Sequence, residues 1–143
     1  FGIVGFEAAL NQAKKDINNG LWDEVSEMRD YFENEVVDIS KSTICIGKGK
    51  KRLPNTSYLL TPGWLGNTQV MQMDLNGFAV SAGSACSSGR VTSSETLIGM
   101  GYSSSEASSG LRVSFGVTTK KSEINAFLKA WGVASKRRNN IAA

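Results

Sequence analysis

The stretch Gly110-Leu111-Arg112-Val113-Ser114-Phe115-Gly116 alternates apolar Leu111, Val113 and Phe115 with polar Arg112 and Ser114. A period of two belongs to a strand with one face on a core and the other turned away from it. An arginine in the polar row of such a strand is costly to hold still unless its guanidinium meets a carboxylate or a phosphate. Surface pairing and ligand binding both fit Arg112 at this level.

Working outward from that strand, Ser103 and Glu106 have capping-box spacing ahead of a short helix, and Thr92 and Glu95 repeat it ahead of another that runs through Met100. Downstream, a helix starting near Thr119 carries Ile124, Phe127, Leu128 and Trp131 inward. The basic tail from about Ser135 is expected to fray. Upstream, Phe78 to Ser81 reads as a short strand and Thr68 to Leu75 as a helix stopped by Asn76 and Gly77. Thr56 to Leu60 is a strand entered at Pro54 and closed by Pro62 and Gly63, and Ser42 to Ile46 is a β-branched strand.

Two helices open the chain. Phe6, Ala9, Leu10 and Ala13 recur at helical spacing in the first, which stops at Asn18-Asn19-Gly20. The second, from about Trp22 to Val36, sets Trp22, Val25, Met28, Phe32 and Val36 on one face and Asp23, Glu24, Arg29 and Asp30 on the other. These two helices are expected to pair. The order of elements predicts an α+β fold over residues 1–143, a small and mostly antiparallel sheet covered by helices, as one domain.

Composition narrows the function. The 143 residues, 41% of them hydrophobic, suffice for one core, and no apolar run approaches the length of a membrane span. The net charge of +3 comes from separate clusters, Lys48, Lys50, Lys51 and Arg52, then Lys120 and Lys121, then Lys136, Arg137 and Arg138. Scattered clusters fit solvated surface better than a nucleic-acid stripe. The chain starts at Phe1 without a signal-peptide pattern, which reads as a cut within a longer protein.

Cys45 and Cys86 are too few for a disulfide framework and lack zinc-site spacing, so a reducing cytoplasm and no metal are expected. The chain has no histidine, which removes the commonest general base. Cys45, between Ile44 and Ile46, reads as a small buried hydrophobe. Cys86 lies in AGSACSSGR, Ala82 to Arg90, a run of small residues expected to form an exposed, mobile loop. A thiol reacts as thiolate and must be reachable, and Arg90 together with the loop amides could lower the pKa of Cys86.

SAGSACSSG together with GLRVSFG resembles the active-site loop and following strand of cysteine desulfurases of the nitrogen-fixation and iron–sulfur-cluster type, within the class V aminotransferases. IVGFEAAL, RLPNTSYL and the helix and strand before the loop match that family's C-terminal small domain in order, so the resemblance covers nearly the whole chain. It implies the C-terminal domain of a fold-type I pyridoxal-phosphate enzyme. It implies that Cys86 takes sulfur from L-cysteine as a persulfide and that Arg112 binds the substrate α-carboxylate, with alanine released.

The implied partners are L-cysteine, a sulfur-acceptor protein such as a cluster scaffold, and a second subunit in a cytoplasmic homodimer, with no nucleic acid or membrane. The family's Schiff-base lysine, ring-stacking histidine and phosphate-binding residues belong to a large domain that would precede Phe1. Pyridoxal phosphate is therefore expected on that domain, and this chain alone is expected to be inactive. Two other readings stay open, a stand-alone sulfur-relay module using Cys86 and a selenocysteine or cysteine-sulfinate lyase domain.

Overall fold

The computed structural model describes residues 2–83 and 94–142. Among them are helices α1 (Gly2–Asn18), α2 (Leu21–Ile39), α3 (Gly66–Asp74), α4 (Glu95–Gly99), α5 (Ser104–Ala107) and α6 (Lys121–Ala142), with strands β1 (Ile44–Cys45), β2 (Thr56–Leu60), β3 (Ser81–Ala82) and β4 (Gly110–Ser114). The four strands form one antiparallel sheet in the order β1-β2-β4-β3. The α+β architecture and the sequence of elements agree with expectation.

The alternation of residues 111–114 is realised in β4, where Leu111 and Val113 are buried and Arg112 and Ser114 exposed. Phe115, just beyond the strand, continues the buried row. That row packs on Val25, Phe32 and Val36 of α2 and on Ile124, Phe127, Leu128 and Trp131 of α6. Phe32 meets the rings of Phe115 and Phe127 at 5.3 and 5.6 Å between centroids, the edge-on and tilted contacts that aromatic quadrupoles favour. Two helices therefore cover one face of the sheet, and β4 crosses the middle of the core.

The start of β4 is gripped by α3. The backbone N–H of Gly66 donates to Ser108 O at 2.9 Å, and a Cβ at Gly66 would stand 2.3 Å from Gly110 O, so no larger residue fits there. Buried Gln69 donates through Nε2 to Trp64 O at 2.9 Å and Ser109 O at 3.0 Å, and its Oε1 accepts from Trp131 Nε1 at 3.2 Å. Helices α3 and α6 and the turn at Trp64 are thus tied to the residues leading into β4. A buried amide with its carbonyl and amino groups both engaged fixes geometry at little net polar cost.

Several expectations are corrected. Helix α1 has no buried residue, so the predicted pairing with α2 does not cover its apolar face. Arg29, placed on the solvent side of α2 by its charge, is buried and donates to Leu53 O, Ser26 Oγ and Asp30 Oδ1. Arg52, counted with the solvated basic run, instead forms a two-pronged pair with fully buried Glu33 at 2.6 and 2.7 Å. Ser57 Oγ donates to the same carboxylate at 2.7 Å. A helical wheel assigned Arg29 to solvent and a run of like charges did so for Arg52, whereas each guanidinium found fixed acceptors that keep it satisfied when covered.

Three boundaries also move. The β3 strand is Ser81–Ala82 and not Phe78 to Ser81, because β4 offers partners only to its last part. The cap of α4 is Ser94, whose hydroxyl accepts from Leu97 N, and Thr92 lies outside the described residues. Ser103 and Glu106 form the full capping box as expected. Helix α6 continues to Ala142 with Ser135 buried, where fraying was expected, and Arg138 donates to Pro62 O at 3.1 Å and lies over Trp64.

Candidate functional site

Arg112 occupies the middle of a row of three residues across the sheet, opposite Tyr58 on β2 and Ser81 on β3. Directly opposed residues point to the same face, so the three share a ledge on the side away from the α2 and α6 core. Arg112 is exposed and makes no ion pair or hydrogen bond among the described residues. Its backbone is held by ladder bonds on both flanks, which leaves the guanidinium rigidly based and unoccupied by an internal carboxylate.

Tyr58 explains two glycines of the ledge. A Cβ added at Gly83 would lie 1.6 Å from the Tyr58 hydroxyl, and one at Gly110 would lie 2.5 Å from it. The ring therefore lies across both glycines, away from Arg112's row. Burial raises the Tyr58 phenol above its ordinary value, with Ser94 and Arg112 acting in the opposite direction. The Ser94 hydroxyl is near, yet the contact falls short of a hydrogen bond, and the buried Tyr58 hydroxyl has no hydrogen-bond partner among the described residues.

Cys86 and Arg90 lie outside the described residues. The residues that flank this stretch do converge on the ledge. Gly83 N donates to Gly110 O at 2.9 Å, and Ser94 caps α4 beside Tyr58. Cys86 follows Ser81, paired with Arg112, by five chain steps, a tether of at most roughly 18 Å of extended chain.

Cys45 behaves as its strand position predicts. It is buried, its thiol contacts Glu33 O at 3.9 Å, and burial followed by the Glu33 charge pushes its pKa up to about 11. A thiol held protonated and covered is a poor nucleophile.

The residues of the ledge do not fit pyridoxal phosphate. Every lysine is exposed, and none stands on β2, β3 or β4 beside Arg112, so no amine is placed to join the cofactor's aldehyde there. Among the described residues, the neighbours of Arg112 on the ledge are Tyr58, Ser81 and two glycines, which add no second cation to anchor a phosphate.

No protein-family model matches the chain. Cysteine desulfurase IscS of Dictyoglomus turgidum is 30% identical over 124 residues, which cover 87% of this chain and 31% of that protein. Cysteine desulfurase IscS of Vibrio campbellii is 31% identical over 143 residues, covering 98% of this chain and 34% of that one. Over nearly its whole length the chain is similar to about one third of the length of cysteine desulfurases of the IscS and NifS type.

A solved NifS-like protein shares the fold of this desulfurase relative, with a TM-score of 0.78 at 21% identity over 94% of this chain and 33% of that one. The chain spans about a third of the length of the curated relatives it matches. No described helix is long and apolar enough to cross a membrane.

Sequence reasoning missed Tyr58 and Ser81, the cross-strand neighbours of Arg112. Their signal was present only as strand alternation, because register between β2, β3 and β4 is set by contacts distant in the chain.

Proposed function

We propose that this chain is the C-terminal small domain of a desulfurase acting on L-cysteine, and that it contributes two groups, the Arg112 guanidinium and the Cys86 thiol. Arg112 binds the substrate α-carboxylate through a charge-assisted fork and so orients the thiol-bearing carbon. Cys86, as thiolate, takes the substrate sulfur: the carbon–sulfur bond of cysteine breaks, a sulfur–sulfur bond forms on Cys86, and L-alanine leaves. The persulfide then passes to an acceptor protein for cluster assembly or thiolation. Pyridoxal phosphate, the family's electron sink, would be held by residues outside this chain.

The observation that carries the reading is the exposed Arg112 without an internal partner, mounted at the centre of a rigid three-strand ledge. An arginine so placed has no structural carboxylate to satisfy it, and a substrate carboxylate supplies one. The flanks of the Cys86 stretch, Gly83 and Ser94, meet the same ledge through Tyr58.

In the full-length protein, Cys86→Ala should abolish alanine and sulfide formation from L-cysteine. Arg112→Ala should raise KM by the loss of one charge-assisted pair, roughly 1.5–3 kcal/mol, with the larger effect on KM than on kcat. Turnover of cysteine that survives Cys86→Ala, or an unchanged KM for Arg112→Ala, would remove the respective residue from the reaction.

A further inference from the structure

Tyr58 crosses strands. It stands on β2 opposite Arg112, yet its tip reaches over Gly110 at the start of β4 to Gly83 at the end of β3. The phenol oxygen fills the space where a side chain at Gly83 would begin, 1.6 Å from a Cβ added there and 2.5 Å from one added at Gly110. The same ring packs on the small core of Leu60, Leu97 and Ala107, so its body is backed while its tip is wedged. A side chain held between a core and two backbone segments has few rotamers left to it.

The two places it meets are the two ends of residues 84–93. Gly83 precedes that stretch, and its N–H is tied to Gly110 O at 2.9 Å. Ser94 follows it, is buried, and caps α4, whose Leu97 belongs to the core behind the ring. The Ser94 hydroxyl lies near the Tyr58 phenol. Cys86 comes three chain steps after Gly83, a reach of at most roughly 11 Å. So short a lever passes any displacement of its root on to the thiol, and a misplacement of about 1 Å costs reactions of this kind about 100-fold in rate.

We propose that Tyr58 is a positioning residue for sulfur transfer: its ring clasps Gly83 and Ser94, the two ends of the stretch that carries Cys86, and so fixes where the thiol starts relative to a carboxylate held on Arg112. This rests on the proposed roles of Cys86 and Arg112 and adds the part that sets one against the other. Because Tyr58 and Arg112 are partners in the ladder, the arm for the carboxylate and the root of the thiol are referred to one ring. The ring acts through its bulk, since its hydroxyl is buried without a hydrogen-bond partner among the described residues.

In the full-length protein, Tyr58→Ala should lower kcat for alanine formation roughly 10- to 100-fold and leave KM for L-cysteine within about twofold, because Arg112 is untouched. Competitive inhibition by L-alanine, which carries the carboxylate and no sulfur, should stay equally unchanged. Tyr58→Phe keeps the ring and should rescue kcat. Gly83→Ala tests the clasp from its other side. The added methyl must shift the ring or the root, so kcat should fall, and combining it with Tyr58→Ala should bring no further loss. That variant leaves the ring in place and gives the answer even where Tyr58→Ala fails to fold.

Full kcat in Tyr58→Ala or in Gly83→Ala would overturn the proposal. So would a Tyr58→Phe enzyme as slow as Tyr58→Ala, or a rise in KM and in the L-alanine inhibition constant that matches the fall in kcat, the mark of a disturbed Arg112. Alanine formation that survives Cys86→Ala would sink the proposed function, whereas turnover that needs Cys86 and ignores Tyr58 would sink the clasp alone.

Discussion

The corner around Glu33 and the ledge around Arg112 are both built on an arginine beside strand β2, and they use it in opposite ways. At the corner, Arg52 grips a fully buried carboxylate with two nitrogens while Ser57 takes a third bond, so every strong acceptor is committed. On the ledge, Arg112 is equally well mounted by its strand and has nothing to grip among the described residues. The difference teaches that residue type and secondary structure do not tell a structural arginine from a functional one. What tells them apart is whether the fold supplies the anion.

The corner should break first. Glu33→Ala leaves buried Ser57 without its acceptor and half-buried Arg52 without its main one, and should cost about 2–4 kcal/mol in urea denaturation, toward the lower end of the loss for one partner of a buried pair. A loss below 1 kcal/mol would mean that solvent reaches Arg52 once Glu33 is gone. On the ledge the largest effect should come from glycine. Gly110→Ala puts a methyl 2.5 Å from the Tyr58 hydroxyl and should destabilise by about 1–3 kcal/mol. Combining it with Tyr58→Ser should recover part of that loss; no recovery would point to backbone strain in place of the ring.

A smaller effect should appear with pH near the corner. The Cys45 thiol is raised from 9.0 to about 11, so the folded state keeps a proton that the unfolded state releases. Its contribution is complete below pH 9 and is lost as pH rises through 11. Cys45→Val should therefore narrow the fall in thermal midpoint between pH 9 and 11 relative to the parent chain. Tyr58 titrates upward in the same alkaline direction and is common to both proteins, so it cancels in the difference.

Tyr58→Phe removes a buried hydroxyl that lacks a partner among the described residues, and it should be neutral or stabilising by up to about 1 kcal/mol. A loss of stability would show that the hydroxyl is hydrogen-bonded in solution. Arg112→Ala should change stability least, within about 0.5 kcal/mol, as an exposed side chain without an ion pair should. The contrast between that small number and the large one at Glu33 is the sharpest measure of the difference between corner and ledge.

Much of this architecture was legible in the residues. The alternation of Leu111 to Phe115, the capping box of Ser103 and Glu106 and the apolar face of α6 each rest on local physics, and each appears where it was expected. The corner was hidden because periodicity reads every charge as solvated, and Glu33 and Arg52 meet each other, and Arg29 meets Leu53 O, across about twenty residues of chain. The bare apolar face of α1 was hidden for the reverse reason, since periodicity reads every apolar stripe as packed. Arg112 was visible as a costly polar residue in a strand, whereas its neighbours Tyr58 and Ser81 needed the sheet register. The roles of Cys86 and Arg112 come from resemblance to the family, and only Arg112 falls among the described residues.

The strand order β1-β2-β4-β3 has a consequence in time. Tyr58 and Arg112 are paired across more than fifty intervening residues, and β3 has no partner until β4 arrives between it and β2. On a growing chain the earlier strands must wait with open edges while the central one is still being made, a topology with costly long-range closure. The ledge is thus among the last places to assemble, and a chain halted before residue 110 would have helices and a hairpin but no place for a carboxylate.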